Sequence, residues 1–241
     1  MIFAVRQLQE KCLEQRQDLY LLFTDLTKAF DTVSRPGLWS ILSKLACPPK
    51  FISTVWSLHD GMMARVIDNG DVSDSFPVAS GVKQGCVLAP TLFRLLFAEM
   101  SAGLAKTSAG TMIRYRTDGR FFDLRPLKAN TRVQEALVRD FLFADDCALA
   151  AHSEEDLQCL DDCFSTAAKA FGLQISIKKT EVLCHAAPGT TQPEPTIKID
   201  GVALKNVEDF TYLGSCLSSS GGLDAEISCR LSNASSAFRR L

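Results

Sequence analysis

Three aspartates in this 241-residue chain have the type and spacing from which chemistry can be built: Asp25, at the end of the apolar run 19–24, and the doublet Asp145-Asp146, between two apolar arms. A single Asp in a loop is ordinarily a cap or a solvated charge, because its short side chain competes for nearby backbone groups. Adjacent acids flanked by Phe141, Leu142, Phe143 and Leu149 are different, since like charges beside apolar residues are costly unless a cation compensates them. Carboxylates converging from two strand tips suit a pair of divalent ions about 3.5 to 4 Å apart, one activating an attacking oxygen and the other neutralising a leaving group. Hard cations such as magnesium take oxygen ligands of this kind and keep waters and substrate phosphates in their shell.

The surrounding pattern supplies the tips. Ile2, Val5, Leu8, Cys12 and Leu13 recur at helical spacing over residues 1–17, and the apolar run 19–25 reads as a buried strand delivering a carboxylate at its end. Asp31 to Pro36 carry helix-start signals, with Asp31 suited to the cap, for a helix to about residue 45 that Pro48 and Pro49 close; a second helix is expected over 51–62. Asn69-Gly70 marks a hairpin turn within 64–78, leading to a glycine-bearing loop, 80–85, and a helix over 90–106. A second hairpin is expected over the basic stretch 111–127, turning at Asp118-Gly119, and a tight one over 140–151 with the acid doublet at its tip. Acidic residues 154–156 open a helix that Gly172 ends; a strand over 175–183, a hairpin turning at Asp200-Gly201, a short strand over 210–214 and a helix over 224–241 complete the pattern. Strands mixed with long amphipathic helices indicate an α+β layer.

Composition limits the alternatives. With 46% hydrophobic and 22% charged residues the chain can bury a sizeable core. A net charge of −2 does not suit a nucleic-acid binder, whose affinity for phosphates comes from clustered Lys and Arg. Nine scattered cysteines with no Cys-x-x-Cys pair, and no secretory signal, indicate a reducing, intracellular setting; Cys159 and Cys163, one helical turn apart, read as packing residues rather than half a metal site. No apolar run reaches the roughly 20 residues that cross a bilayer, so no membrane partner is expected.

The motifs carry a resemblance. Phe23-Thr24-Asp25-Leu26-Thr27-Lys28-Ala29-Phe30-Asp31, Ser80-Gly81-Val82-Lys83-Gln84-Gly85-Cys86-Val87-Leu88-Ala89-Pro90 and Phe143-Ala144-Asp145-Asp146 resemble, in order, the three central motifs of reverse transcriptases. Gly172 to Thr180 resembles the motif that follows, and Phe210-Thr211-Tyr212-Leu213-Gly214 the primer-grip motif. The wording of Lys28 to Asp31 and of Tyr212 to Gly214 is similar to non-LTR, LINE-type retrotransposons; Ser176, where such relatives often carry Asn, is a mild departure.

The resemblance implies a right-hand polymerase palm, an antiparallel sheet packed on helices, over residues 1–214 with partial fingers, and the start of a thumb helix over 215–241. It implies an RNA-directed DNA polymerase that joins a deoxynucleoside triphosphate to a DNA primer on an RNA template, using two Mg2+ ions, with Mn2+ as a substitute. Asp25 and Asp145 would be the principal metal ligands, supported by Asp146. Lys179, with Lys178 beside it, would protonate departing pyrophosphate. Phe30 would exclude a ribose 2′-hydroxyl; Gln84 and Gly85 would meet the nucleotide and template base; and Tyr212, Leu213 and Gly214 would hold the primer end, with Arg230, Arg239 and Arg240 on the thumb helix. Nuclear access follows only from the family, and the oligomeric state is open.

Only about twenty residues precede Asp25, so most of the fingers are missing from the sequence, which reads as a piece of a longer polyprotein. The rival expectations are a folded palm that neither binds template nor turns over and, from another class, a metal-dependent phosphohydrolase, which lacks a candidate water-activating His near the acids.

Overall fold

A computed structural model describes residues 1–116, 133–143 and 145–240. Helix α1 (Ile2–Gln15) buries Val5, Leu8, Gln9 and Cys12. In strand β1 (Leu19–Thr24) five of the six residues are buried, because both faces of the strand are covered. Next come the one-turn helix α2 (Ala29–Thr32) and α3 (Arg35–Lys44). The cap of α3 is Ser34, whose Oγ accepts from the Gly37 N–H at 3.3 Å, with Pro36 in the first turn where its missing N–H costs nothing. Asp31, expected in that role, lies inside α2; the chain turns extended at Val33 and Ser34, which moves the cap there.

Helix α4 (Pro49–Ser57) starts at the proline and is shorter than expected. Two nested hairpins follow: β2 (Met63–Ala64) and β5 (Phe76–Pro77) enclose β3 (Ile67–Asp68) and β4 (Asp71–Val72). Their tip is Asn69-Gly70 with φ of 49° and 96°, as its type suggested. Helix α5 (Ala89–Leu104) buries Leu92, Phe93, Leu96, Phe97, Met100 and Leu104. Strand β6 (Thr111–Arg116) pairs with β7 (Val133–Val138), so the return strand of the hairpin expected over 111–127 comes later in the chain; the Asp118-Gly119 turn lies outside the described residues.

Strands β8 (Asp140–Phe143) and β9 (Asp146–Ala151) form the tight hairpin that carries the acids. Ser153 caps α6 (Glu154–Ala170), its Oγ accepting from the Asp156 N–H at 3.1 Å, with three acids at the positive helix end. The strand expected over 175–183 is displaced to β10 (Glu181–His185). Residues 177–179 turn instead, because the Ser176 N–H donates to Asp25 O at 2.8 Å and the Thr180 N–H to Ser176 O at 2.9 Å. Strands β11 (Lys198–Ile199) and β12 (Val202–Ala203) turn at Asp200-Gly201; β13 (Lys205–Val207), the hairpin β14 (Asp209–Tyr212) and β15 (Ser215–Ser218), and α7 (Asp224–Phe238) end the chain.

One five-stranded sheet, in the order β13-β10-β1-β9-β8, organises these parts; it is antiparallel except for β10 with β13. Leu22, Cys147, Leu149 and Val182 face one core, packed with residues of α3, α5 and α6. Leu21, Phe23, Ala148, Ala150 and Leu183 face a second core, closed by α1 and the β14–β15 hairpin. The α+β sheet-on-helix arrangement is the expected one. The division expected between residues 214 and 215 falls in the turn joining β14 to β15.

Candidate active site

Strand register decides where the acids go. Thr24 lies opposite Cys147 in the β1–β9 pairing, so Asp25 and Asp146 come next, alongside each other at one end of the sheet. Side chains alternate between faces, and Cys147 faces the helices, so Asp25 and Asp146 share the face of Phe23 and Ala148. Cross-strand neighbours on one face have Cβ atoms about 4.5–5.5 Å apart. Asp145 stands exposed in the turn of the hairpin.

The electrostatics agree with this placement. Burial pushes the Asp146 carboxyl above its ordinary pKa, and the charges of Asp145 and Asp25 push it the same way. A cation would relieve that repulsion, and three carboxylates are the oxygen donors a hard divalent ion takes. Asp25, Asp145 and Asp146 are therefore the residues that would hold it. Their side chains are not drawn in around a common point: among the described residues no group of three His, Cys, Asp or Glu is arranged to bind a metal. Asp25 instead has Lys179 Nζ 3.4 Å from its Oδ2, with the lysine side chain 72% exposed, so this pair is weak and solvent-screened.

Backbone contacts fix Asp25. Its N–H donates to Thr180 Oγ1 at 3.3 Å and its carbonyl accepts from Ser176, which ties the turn bearing Lys178 and Lys179 to the strand end. Lys179 thus stands beside the acids, while Lys178 is exposed with no ion pair among the described residues.

Phe30 is half-buried on α2, its ring centroid 4.4 Å from that of Phe93 on α5. Gln84 and Gly85 are exposed in a turn just before α5, with Gly85 at φ 82°. Segment 80–82 lies against the backbone of Phe30: Val82 N–H donates to Phe30 O at 2.7 Å, and Ser80 Oγ to Asp31 O at 3.1 Å. A Cβ on Gly81 would come within 2.5 Å of Phe30 O, so only glycine fits this approach.

Tyr212 is placed differently from the two residues after it. Its ring is 3% exposed and packs 5.1 Å from Phe23, with Phe210 stacked on the same ring at 4.2 Å. Tyr212 lies in the core that holds Phe23 and Ala148, the face on which Asp25 and Asp146 stand. Burial raises its hydroxyl pKa, and Cys147 and Asp146 add to the shift. Leu213 and Gly214 form the two-residue turn at the hairpin tip, both with positive φ, 48° and 76°. Arg230 is held by Glu226 on α7.

Two contributors were missed from sequence. Thr180 is wholly buried beneath Asp25, and a threonine at a strand start gives no warning of that. Arg35 is 9% exposed and hydrogen-bonded to three backbone carbonyls. A cation in the first turn of a helix opposes the macrodipole, and that oddity was the available signal.

A family model described as "Reverse transcriptase (RNA-dependent DNA polymerase)" matches residues 2–217. Curated relatives include the R2DM retrotransposable element polyprotein of Drosophila melanogaster, 25% identical over 81% of this chain and 17% of its own length. The polymerase of the mobile element jockey, also from Drosophila melanogaster, is 25% identical over 85% of this chain and 20% of its own. The type-1 R2 polyprotein of Popillia japonica is 26% identical over 86% and 28%. The chain thus spans less than a third of these relatives. Among solved structures, apo telomerase of Candida tropicalis superposes with a TM-score of 0.58 at 14% identity, over 90% of this chain and 38% of that one, which shows the right-hand polymerase fold. From the match over nearly the whole sequence and the non-LTR retrotransposon relatives, the chain belongs to the reverse transcriptase family and is a domain of its non-LTR branch.

Proposed function

We propose that this domain carries out RNA-templated DNA synthesis, adding deoxynucleoside triphosphates to a DNA primer, as part of a longer polyprotein. What carries the reading is the placement of Asp25, the residue just past the end of β1, beside Asp146 at the start of the neighbouring β9, with Asp145 at the adjoining hairpin tip. Members of the family use divalent metal ions. Two Mg2+ ions, or Mn2+ in their place, would supply charge neutralisation at the attacking and leaving oxygens. The chain's own part is then positioning. Asp25 and Asp145 orient the primer hydroxyl and triphosphate, and Asp146 supports them. Lys179 stands where a proton can pass to departing pyrophosphate. Phe30 lies under the sugar, Gln84 and Gly85 border the nucleotide, and the Leu213-Gly214 turn holds the primer end, with Tyr212 anchoring that turn from below. In this reading residues 1–214 are palm with residual fingers, and α7, within 215–241, begins the thumb.

A second reading, a catalytically inactive palm remnant that binds no template, is favoured on the first count by the site itself: the acids are not gathered around a common point, and Lys179 rests on Asp25. Extension of a DNA primer on an RNA template, followed on a gel with and without magnesium, separates the two. The polymerase reading expects magnesium-dependent extension that Asp145→Asn abolishes. Equal extension by that variant, or no binding of template by the unaltered chain, rejects it.

A further inference from the structure

Arg35 is the most conspicuous buried charge outside the acid cluster. Nε donates to Gly81 O at 2.8 Å, and Nη1 donates to His59 O and to Val78 O, each at 2.8 Å. Its Nη2 lies 4.0 Å from Met62 Sδ, and among the described residues no carboxylate pairs with it. Burying a guanidinium against carbonyl dipoles alone is costly, and the rigid fork of donors is what makes three simultaneous bonds reachable. A lysine has no planar fork with which to repeat them.

The carbonyls it gathers belong to the segment leading into the Gln84-Gly85 turn. Gly81 is clamped on both sides: its O takes the Arg35 bond, and its N–H donates to Val33 O at 2.9 Å. The next residue bonds Phe30 O, and a Cβ on Gly81 would strike Phe30 O and Asp31 O at 2.5 and 2.6 Å. Arg35 therefore fixes the separation between the Phe30 segment and the loop that continues into Gln84 and Gly85.

Resting on the polymerase reading, we infer that Arg35 is a positioning residue for the incoming nucleotide: by clamping Gly81 against the Phe30–Asp31 backbone it sets the distance between two walls of the proposed nucleotide site, the Phe30 segment and the loop that continues into Gln84 and Gly85, and so the preference for a deoxyribose. It touches no reacting atom. Loosening the clamp lets the two walls move apart, which weakens nucleotide binding and admits a 2′-hydroxyl.

The test uses the full chain bound to an RNA template and a DNA primer ending in a dideoxynucleotide, so that no turnover occurs. Binding of magnesium dGTP and magnesium GTP opposite a template cytosine is measured at a temperature where every variant is folded. Arg35→Lys should bind dGTP about tenfold more weakly, the cost of losing a charge-assisted bond, and narrow the dGTP-over-GTP preference. Ser80→Ala, which removes only the exposed bond to Asp31 O, should shift both quantities in the same direction by about threefold. Leu160→Ala, a cavity in α6, lowers stability and should leave the preference unchanged, since general loosening does not distinguish the two sugars. If the unaltered chain binds neither nucleotide, the polymerase reading fails and this inference falls with it. If the unaltered chain binds dGTP but the preference is unmoved in folded Arg35→Lys, the inference alone is overturned, whatever Ser80→Ala does. Should Arg35→Lys not fold, the Ser80→Ala measurement decides.

Discussion

Asp161, on the buried side of α6, is 1% exposed and neither of its carboxylate oxygens has a hydrogen-bond partner among the described residues. Burial lifts its pKa from 3.8 to about 7, helped by Asp162 and Asp200 and opposed by Lys169. Because the folded value is raised, the folded chain holds a proton that the unfolded chain releases above pH 4. Stability therefore falls as pH rises from about 4 through about 7. Urea midpoints should drop across that window, and Asp161→Asn should flatten the drop while raising stability at pH 7.5 by roughly 1–4 kcal/mol. A like-charge argument applies to Asp146, with the effect reduced by solvent screening: without metal, Asp146→Asn should raise the Tm, and magnesium should raise its Tm less than that of the unaltered chain. Asp25, Asp145 and Asp146 stand out in the sequence by their place at the ends of apolar runs together with the motif resemblance, and the strand pairing brings Asp25 and Asp146 to the same end of the sheet. Arg35 and Thr180 did not stand out, because their meaning lies in partners 24 to 155 positions away.

Local elements were read best where one residue forces the backbone. Asn69-Gly70 and Asp200-Gly201 announced their hairpins, and Ser153 with its acids announced α6. Strand β10 was misplaced because Ile175 and Ile177 alternate like a strand, while backbone bonds from Ser176 and Thr180 fold that stretch into a turn against Asp25. Leu213 shows the opposite case, a residue unsuited to its conformation. A non-glycine residue at φ 48° in a two-residue hairpin turn is strained by roughly 1–2 kcal/mol. Leu213→Gly should recover about 1 kcal/mol in thermal unfolding. If the leucine is kept for contact with a primer, the stabilised variant should hold a primer–template duplex less tightly, which filter binding measures. Ser34→Ala, removing the cap of α3, should cost about 1 kcal/mol by the same unfolding measurement.

Across the whole molecule, Glu226 joins the last helix to the β14–β15 hairpin and to the first helix. Its carboxylate accepts from the Cys216 N–H and from Arg230, and Arg6 Nη2 lies 3.8 Å away. The Cys216 N–H first, then Arg230 and Ser215, hold its pKa down at about 2. The lowered value means the anchor is present above the ordinary carboxylate range and lost as pH falls towards 2. Hydrogen exchange should show α7 and β15 protected at pH 7 and α7 released first on acidification or in Glu226→Ala. The palm arrangement was legible from the order of the motifs, whereas this joint was not, because one glutamate at helical spacing looks like any solvated face. A last consequence concerns the sulfur next to the acids. Cys147 is 1% exposed with its thiol pKa driven well up, while Cys159 and Cys229 are open to solvent. Iodoacetamide should mark the two open thiols at once and reach Cys147 only when β9 parts from its neighbours, so the alkylation rate at that one sulfur is a clock for the opening of the strand that begins with Asp146.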